Sequence, residues 1–266
     1  MSPFLYAVDT DALGGPLSRT WETWQTDDEL AVFIKDCTHN PHTSMQHVLL
    51  PILSFFVPDY EAHGMLGMYP MHLLSKAQWE RIIPPEHRGG RLLDIGAGQG
   101  FVTLRAKDLF TEIVATETAP SMVERLQAKG IQAHGVDIAW HPEVFEAESF
   151  DVVSVLNVLD RCEQPLTLLD TALSYLKPGG LLILSDPLPF SQQVRDPRKQ
   201  VREFLPTESK SFEAAFRVFY EEVIVPRGVE LVLATRLPYV YKNTRANPYV
   251  ALDDFLMVCR KPERPI

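Results

Sequence analysis

The chain has 266 residues, 45% of them hydrophobic and 23% charged, which suits a folded core and excludes long disorder. Its 25 basic and 35 acidic residues give a formal charge of −10, and with no dense Lys/Arg run this argues against nucleic acid and favours basic or neutral partners. Cys37, Cys162 and Cys259 stand far apart, form no C-x-x-C pair and leave at least one thiol unpaired, as expected for a reducing compartment such as the cytoplasm.

Met1-Ser2-Pro3-Phe4 carries no signal-peptide pattern, and the longest apolar run, residues 48–57, is interrupted by Pro51 and too short to span a bilayer. No membrane partner is therefore expected. Residues 1–90 show amphipathic stretches at 21–35, 47–56 and 75–83, with Ser75 as a helix cap and Pro84-Pro85 as a stop. This reads as an N-terminal helical extension, or lid, ahead of a main domain at 91–266. His39, His42 and His47 have the residue type for a metal site. Asn40-Pro41 breaks the helix there and no carboxylate or thiol completes a set, so solvated loop histidines and no metal are expected. Gly64-Met65-Leu66-Gly67 is either a backbone-exposing turn under a ligand site or an ordinary loop.

From Arg91 onward strands and helices alternate, the pattern of a doubly wound α/β sheet. Strands are expected at 91–95, 112–116, 131–136, 150–156 and 181–185, with helices at 101–109, 119–129 and 164–176 between them. Gly130 closes the second helix and Lys177-Pro178-Gly179-Gly180 launches the fifth strand. A polar loop then runs to Lys210, a helix covers 212–225, and 229–235 with 255–260 form an antiparallel pair at the sheet edge.

The first strand ends in Asp94-Ile95-Gly96-Ala97-Gly98-Gln99-Gly100. Residues without a Cβ allow positive φ and close approach of a ligand to the backbone, and the N–H groups of the following helix point at it. Glu117, at the tip of the second strand, is placed to accept hydrogen bonds from both hydroxyls of a ribose. Asp137, after the third strand, either accepts from an adenine amino group or caps a turn. D-x-G-x-G-x-G followed by that acid resembles the class I methyltransferases, which implies a Rossmann-like seven-stranded sheet and S-adenosylmethionine as cofactor.

The stretches Leu92 to Gly100, Ala115-Thr116-Glu117, Leu156-Asn157-Val158-Leu159-Asp160-Arg161-Cys162-Glu163-Gln164-Pro165-Leu166-Thr167-Leu168-Leu169, Leu188-Pro189-Phe190 and Thr235-Arg236-Leu237-Pro238-Tyr239 together are similar to the methyltransferase-like protein 9 family. That resemblance covers roughly residues 45–261 and implies methyl transfer to the pros nitrogen of histidine in His-x-His motifs of protein substrates, by a monomer. Carried over by position, Glu117, Asn157 and Tyr239 match cofactor-contacting residues, and Asp94 and Asp160 match acids implicated in activity. Tyr249 is the candidate for the family's C-terminal tyrosine, displaced by one residue. The expected site is therefore Asp160, Asn157 and Asp94 for catalysis, Asp94, Gly96, Gly98, Gly100, Glu117, Asp137, Asn157 and Tyr239 for the cofactor, and Asp160, Tyr239 and Tyr249 for the substrate.

A carboxylate at Asp160 would fix the tautomer of a histidine acceptor and stabilise the cation formed on methylation. Simpler roles stand beside these. Asp160 could cap a helix, Asn157 could be a structural amide, Asp94 could brace the glycine turn and Tyr239 could be a core residue. Rival activities are small-molecule methylation, methylation of a nucleic-acid amine, and a catalytically silent cofactor-binding fold.

Overall fold

The computed structural model describes residues 4–194, 196, 199–206 and 209–264. Part of the polar loop before Lys210 lies outside the described residues.

The N-terminal part is helical: α1 (Thr10–Leu13), α2 (Gly15–Thr20), α3 (Asp28–His39), α4 (Ser44–Phe56) and α5 (Asp59–Leu66) precede a short strand, β1 (Met71–His72), and α6 (Lys76–Ile82). Local chemistry sets these bounds. Asp27 caps α3, while Thr43 with Gln46 and Ser75 with Gln78 form reciprocal capping boxes on α4 and α6. The helix expected from residue 21 begins only at Asp28, because Trp21 pairs instead with Ala234 in an isolated parallel bridge. Gly64, expected in a turn or loop, sits inside α5. A Cβ there would come within 2.1 Å of the Ser121 hydroxyl, so its value is close helix packing.

The remaining chain supplies β2 (Arg91–Ile95), β3 (Glu112–Glu117), α7 (Pro120–Ala128), β4 (Gln132–Gly135), β5 (Phe150–Leu156), α8 (Pro165–Tyr175), β6 (Leu176–Pro187), α9 (Phe212–Phe219), β7 (Glu230–Lys242) and β8 (Tyr249–Arg260). The segment after β2, expected as an α-helix, is a 3₁₀ helix at Thr103–Leu109. The sheet has eight strands in the order β1-β7-β8-β6-β5-β2-β3-β4. Strands β2 to β6 run parallel, whereas β8 pairs antiparallel with both β6 and β7. The doubly wound Rossmann-like sheet expected from the sequence is thus present. Its extra strand, β1, is contributed by the N-terminal part and takes the edge beside β7.

Alternate residues of the central strands enter opposite layers. Leu93, Val153, Leu182 and Met257 pack with α8 and α9 residues such as Leu169 and Phe216. Leu92, Val152, Leu181 and Leu256 pack with Trp79 and Ile82 of α6. Burial on both faces is what near-continuous apolar strands require. The chain winds outward from β2 to β4 and then returns to the other side of β2 as β5. This leaves a crevice beyond the carboxyl ends of β2 and β5, where open α/β sheets bind ligands.

Candidate active site

Gly96 and Gly98 turn the chain at the end of β2 with φ of +70° and +56°. The Gly96 and Ala97 N–H groups donate to the Thr116 carbonyl at 2.9 and 3.1 Å, which fixes the turn against β3. A Cβ on Gly96 would come within 2.5 Å of Val158, whereas one on Gly98 would meet nothing within 4 Å. The first glycine lets the turn close on the segment after β5, and the second leaves an open cradle. Glu117 faces that cradle, accepting from Gly98 N–H at 2.9 Å and from Thr118 and Ala119 N–H at 2.6 and 3.2 Å. Burial raises its pKa and the backbone donors oppose that rise.

Gly96, Gly98, Glu117, Asp137, Asn157 and Tyr239 all line one cavity of about 170 Å³. Asp137 caps its turn, Oδ1 accepting from Ala139 N–H at 3.1 Å, and its Oδ2 lies 3.7 Å from Lys199 Nζ. Asn157 holds a left-handed φ of +58°, which is costly for a residue with a side chain and persists only when the surroundings enforce it. Here Asn157 N–H donates to the Ser185 carbonyl at 2.7 Å, and Nδ2 donates to Asp254 Oδ2 at 2.7 Å. The Asn157 Oδ1 atom is buried without a hydrogen-bond partner. A buried acceptor in this condition beside an open glycine cradle, with a carboxylate opposite, fits the donor-rich cofactor of this fold.

Four expected residues, Gly100, Asp94, Tyr249 and Asp160, stand outside the lining of that cavity. Gly100 serves packing, since a Cβ there would lie 2.8 Å from Leu126. Asp94 is buried behind the turn, where its carboxylate accepts from Thr103 at 2.5 Å and Ser154 at 2.7 Å; it braces the turn, and burial pushes its pKa up to about 6. Tyr249 starts β8 opposite Lys242, with an edge contact to Phe4 at 6.4 Å, and the walls of both cavities are built without it among the described residues. The register of the β7–β8 hairpin places it outside both cavities, so the structure does not bring it together with the other expected residues.

Asp160 lies just behind the wall, with Oδ1 at 3.2 Å from Arg161 Nε and its N–H donating to Asp186 at 3.4 Å. Burial and the nearby Asp160 raise the Asp186 pKa well above the ordinary carboxylate range. Burial works against the Arg161 cation, but Tyr239, Asp160, Tyr60 and Asp186 outweigh it and raise its pKa.

A second cavity of about 380 Å³ adjoins the first and shares Tyr60, Met71, Met122, Arg161 and Tyr239 with it. Its own wall adds Asp59, His63, Tyr69 and Tyr241. Aromatic rings run in contact along it: Tyr239 to Tyr241 at 6.0 Å, Tyr241 to Tyr69 at 5.7 Å and Tyr69 to His63 at 4.6 Å. Burial pushes the Tyr239 hydroxyl up to about 12, and that hydroxyl lies 3.1 Å from Met71 Sδ. Sequence reasoning missed Tyr60, His63, Tyr69, Tyr241 and Arg161. Of these only Arg161 stood inside a segment that carried a signal.

His42, expected as a solvated loop residue, is buried instead and its Nε2 accepts from Tyr69 N–H at 3.0 Å. Burial first, then His47 and Lys242, depress its pKa to about 4. Among the described residues no group of three His, Cys, Asp or Glu side chains could hold a metal ion, and no helix is long and apolar enough to cross a membrane.

The switch-point crevice and its glycine turn are those of a class I methyltransferase, whose methyl donor is S-adenosylmethionine. The family model for DREV methyltransferase matches residues 19–261, and the chain belongs to that family. A ubiquinone biosynthesis O-methyltransferase of Xanthomonas axonopodis pv. citri (strain 306) is 29% identical over 123 residues, 44% of this chain and 51% of that protein. Another protein so named, from Cereibacter sphaeroides, is 35% identical over 107 residues, 38% of this chain and 43% of its own length. The chain therefore spans about half the length of the curated relatives it matches. A solved structure from Bacillus halodurans C-125, described as a candidate methyltransferase, superposes with a TM-score of 0.52 at 15% identity, covering 70% of this chain and 98% of that one, which shows the fold.

These findings correct the assignment to the methyltransferase-like protein 9 family. The matching family model is DREV methyltransferase and these curated relatives carry O-methyltransferase names, leaving pros-nitrogen transfer to His-x-His motifs unsupported. The physical reason is that the resemblance rests on short segments at the ends of β2, β3 and β5, after β6 and within β7, and likeness in such framework segments does not fix the acceptor.

Proposed function

We propose that this enzyme methylates a hydroxyl group of a small aromatic molecule. The observation that carries the reading is the second cavity, a chamber walled by the rings of Tyr60, Tyr69, Tyr239 and Tyr241 and opening onto the donor cavity through shared residues. Flat rings of this kind favour a flat aromatic guest through edge and offset contacts. The O-methyltransferase names of the curated relatives support the same acceptor chemistry.

In this reading Glu117 accepts from the ribose hydroxyls, Asp137 faces the adenine, and Asn157 meets the methionine end. Gly96 and Gly98 supply the close backbone approach, while Asp94 braces the turn from behind. The bound cofactor supplies an activated methyl group on a sulfonium. The chain's own task is to hold the acceptor oxygen on the axis of that group and to exclude water. Tyr239 and Arg161, shared by both cavities, stand where the two reactants meet. Asp160 holds the Arg161 guanidinium in place.

Residues 1–90 act as the acceptor-side lid and 91–266 as the catalytic domain. Leu50, Tyr60, His63 and Tyr69, which wall the second cavity, all come from the first part. A single chain lines both cavities, so the reading needs no second copy. The free thiols of Cys37, Cys162 and Cys259 suit a reducing cytoplasm, and the charge of −10 disfavours nucleic acid as acceptor.

Incubation with methyl-labelled S-adenosylmethionine and a panel of catechols and simple phenols tests the proposal. Label recovered on a phenolic oxygen is expected. Full donor binding by calorimetry with no transfer to any member of the panel would overturn it.

A further inference from the structure

We infer that the protein is a dimer in which the outer face of α4 packs against the same face of a second copy across a two-fold axis. Helix α4 is built inside out. A surface helix ordinarily turns its apolar stripe to the core and its polar residues to water. In α4 the side chains of Met45, Val48, Leu49, Ile52, Phe55 and Phe56 are exposed, Phe55 by 85% and Phe56 by 76%, and no residue of the helix is buried.

The polar residues of α4 turn inward. Gln46 Nε2 donates to the Leu66 carbonyl at 3.0 Å, the Ser54 hydroxyl donates to Asp59 Oδ1 at 3.2 Å, and the His47 ring meets that of His42 at 5.9 Å. Leu50, on the same side, reaches the second cavity. These contacts and the Thr43–Gln46 capping box hold the helix in this orientation, so its apolar stripe stays outside.

Three properties of the face fit a copy of itself. The spacing 45, 48, 52, 55 alternates three and four, the pattern by which one helix seats its side chains between those of another. Residues 43–58 contain no Asp, Glu, Lys or Arg, so two copies meet there with no like charges opposed, although each chain carries −10. The area is also sufficient. Phe55 and Phe56 alone present about 300 Å². With the other four side chains the face approaches the roughly 800 Å² that each partner gives to a stable interface, more than a monomer usually leaves in water.

A lipid surface fits this face less well. Helices that lie in a bilayer interface carry Lys or Arg beside the apolar side, and α4 has neither, while the net negative charge repels anionic headgroups. Both cavities are lined by one chain, so the second copy covers α4 and leaves the chemistry where it is.

Sedimentation velocity over about 1 to 100 μM protein, with the affinity for S-adenosylhomocysteine measured alongside, tests the inference. Wild type is expected to run at twice the 30.1 kDa chain mass. Ile52→Glu/Phe55→Glu should raise the dissociation constant about 100-fold, because each carboxylate enters the interface twice and finds no partner there. Phe55→Ser alone should raise it about 10-fold. Neither residue lines a cavity and α4 buries no side chain, so product affinity should hold at the wild-type value in both variants. Val32→Glu places a carboxylate on α3, where Val32 is 67% exposed, and should leave the dimer intact. A wild type that keeps the single-chain mass over the whole range overturns the inference, and its flotation with phosphatidylcholine vesicles would hand the face to lipid. A double variant that stays dimeric, or a Val32→Glu chain that dissociates as readily, overturns it as well, since the contact would then lie elsewhere.

Discussion

The two cavities of this enzyme are built in opposite ways. The donor cavity is mostly local, since Ile95 to Gly98, Thr116 to Thr118, Val136 to Ile138 and Leu156 to Cys162 each follow a parallel strand of one winding unit. The second cavity, proposed above for the acceptor, is assembled mainly from Leu50 to Met71 and from Tyr239 to Leu252, segments brought together when β1 pairs with β7. Each cavity holds a non-glycine residue at positive φ, Asn157 in the first and Tyr69 in the second. The backbone is constrained on both sides, but only the donor side is constrained by a ligand common to the whole class. The acceptor side is free to differ between enzymes that share the fold.

This contrast predicts substitutions that damage one half and spare the other. Glu117→Ala should weaken S-adenosylhomocysteine binding about 100-fold by calorimetry, because charge-assisted bonds to the ribose are lost. Arg236→Ala attacks the acceptor side indirectly. Arg236 pairs with Asp253, donates to the Ala7 carbonyl at 3.1 Å and lies 4.3 Å from the Phe212 ring, tying the N-terminal segment to β7 and β8. Its removal should cost about 2 kcal/mol of stability, read as a lower midpoint in denaturant. Tyr241→Ala should raise KM for a catechol about 10-fold while leaving donor affinity unchanged, since Tyr241 lines the second cavity alone.

The smallest effect lies at the junction. Burial pushes Asp254 up to about 8, against the hydrogen bonds from Asn157 and Ser185. A carboxyl whose folded pKa exceeds its unfolded value contributes stability that is full below about pH 4 and is lost as pH rises through 8. The buried His42 and His72, both depressed to about 4, act in the opposite sense, their contribution falling as pH drops from 6.5 toward 4. Between pH 6.5 and 8.5 the acid therefore dominates. The melting temperature should fall over that window, and by less in Asp254→Asn, which keeps an acceptor for Asn157 and Ser185.

The same contrast explains what could be read in the sequence. Strand β2 and strand β5 were legible to the residue, because apolar runs end at glycine, asparagine and acid where the crevice begins. Gly96, Gly98, Glu117, Asp137 and Asn157 were legible as neighbours around one crevice for the same local reason. Asp94 and Asp160 were legible as important acids but not as residues behind the wall, since periodicity does not show which side of a strand end a side chain takes. That Tyr249 falls outside both cavities was not legible, because hairpin register depends on pairing partners that spacing does not reveal. His63, Tyr69 and Tyr241 carried no motif. Their meeting depends on β1 and β7, and a strand of two residues leaves almost no trace in a sequence.

A crystal structure with S-adenosylhomocysteine and catechol bound together tests the division of labour most directly. The account predicts the nucleoside against Gly98 and Glu117, and the sulfur at the junction beside Asn157 and Tyr239. Catechol should lie between Tyr69 and Tyr241 with one hydroxyl facing the sulfur. Catechol bound away from the second cavity, or the nucleoside bound away from Glu117, would contradict it.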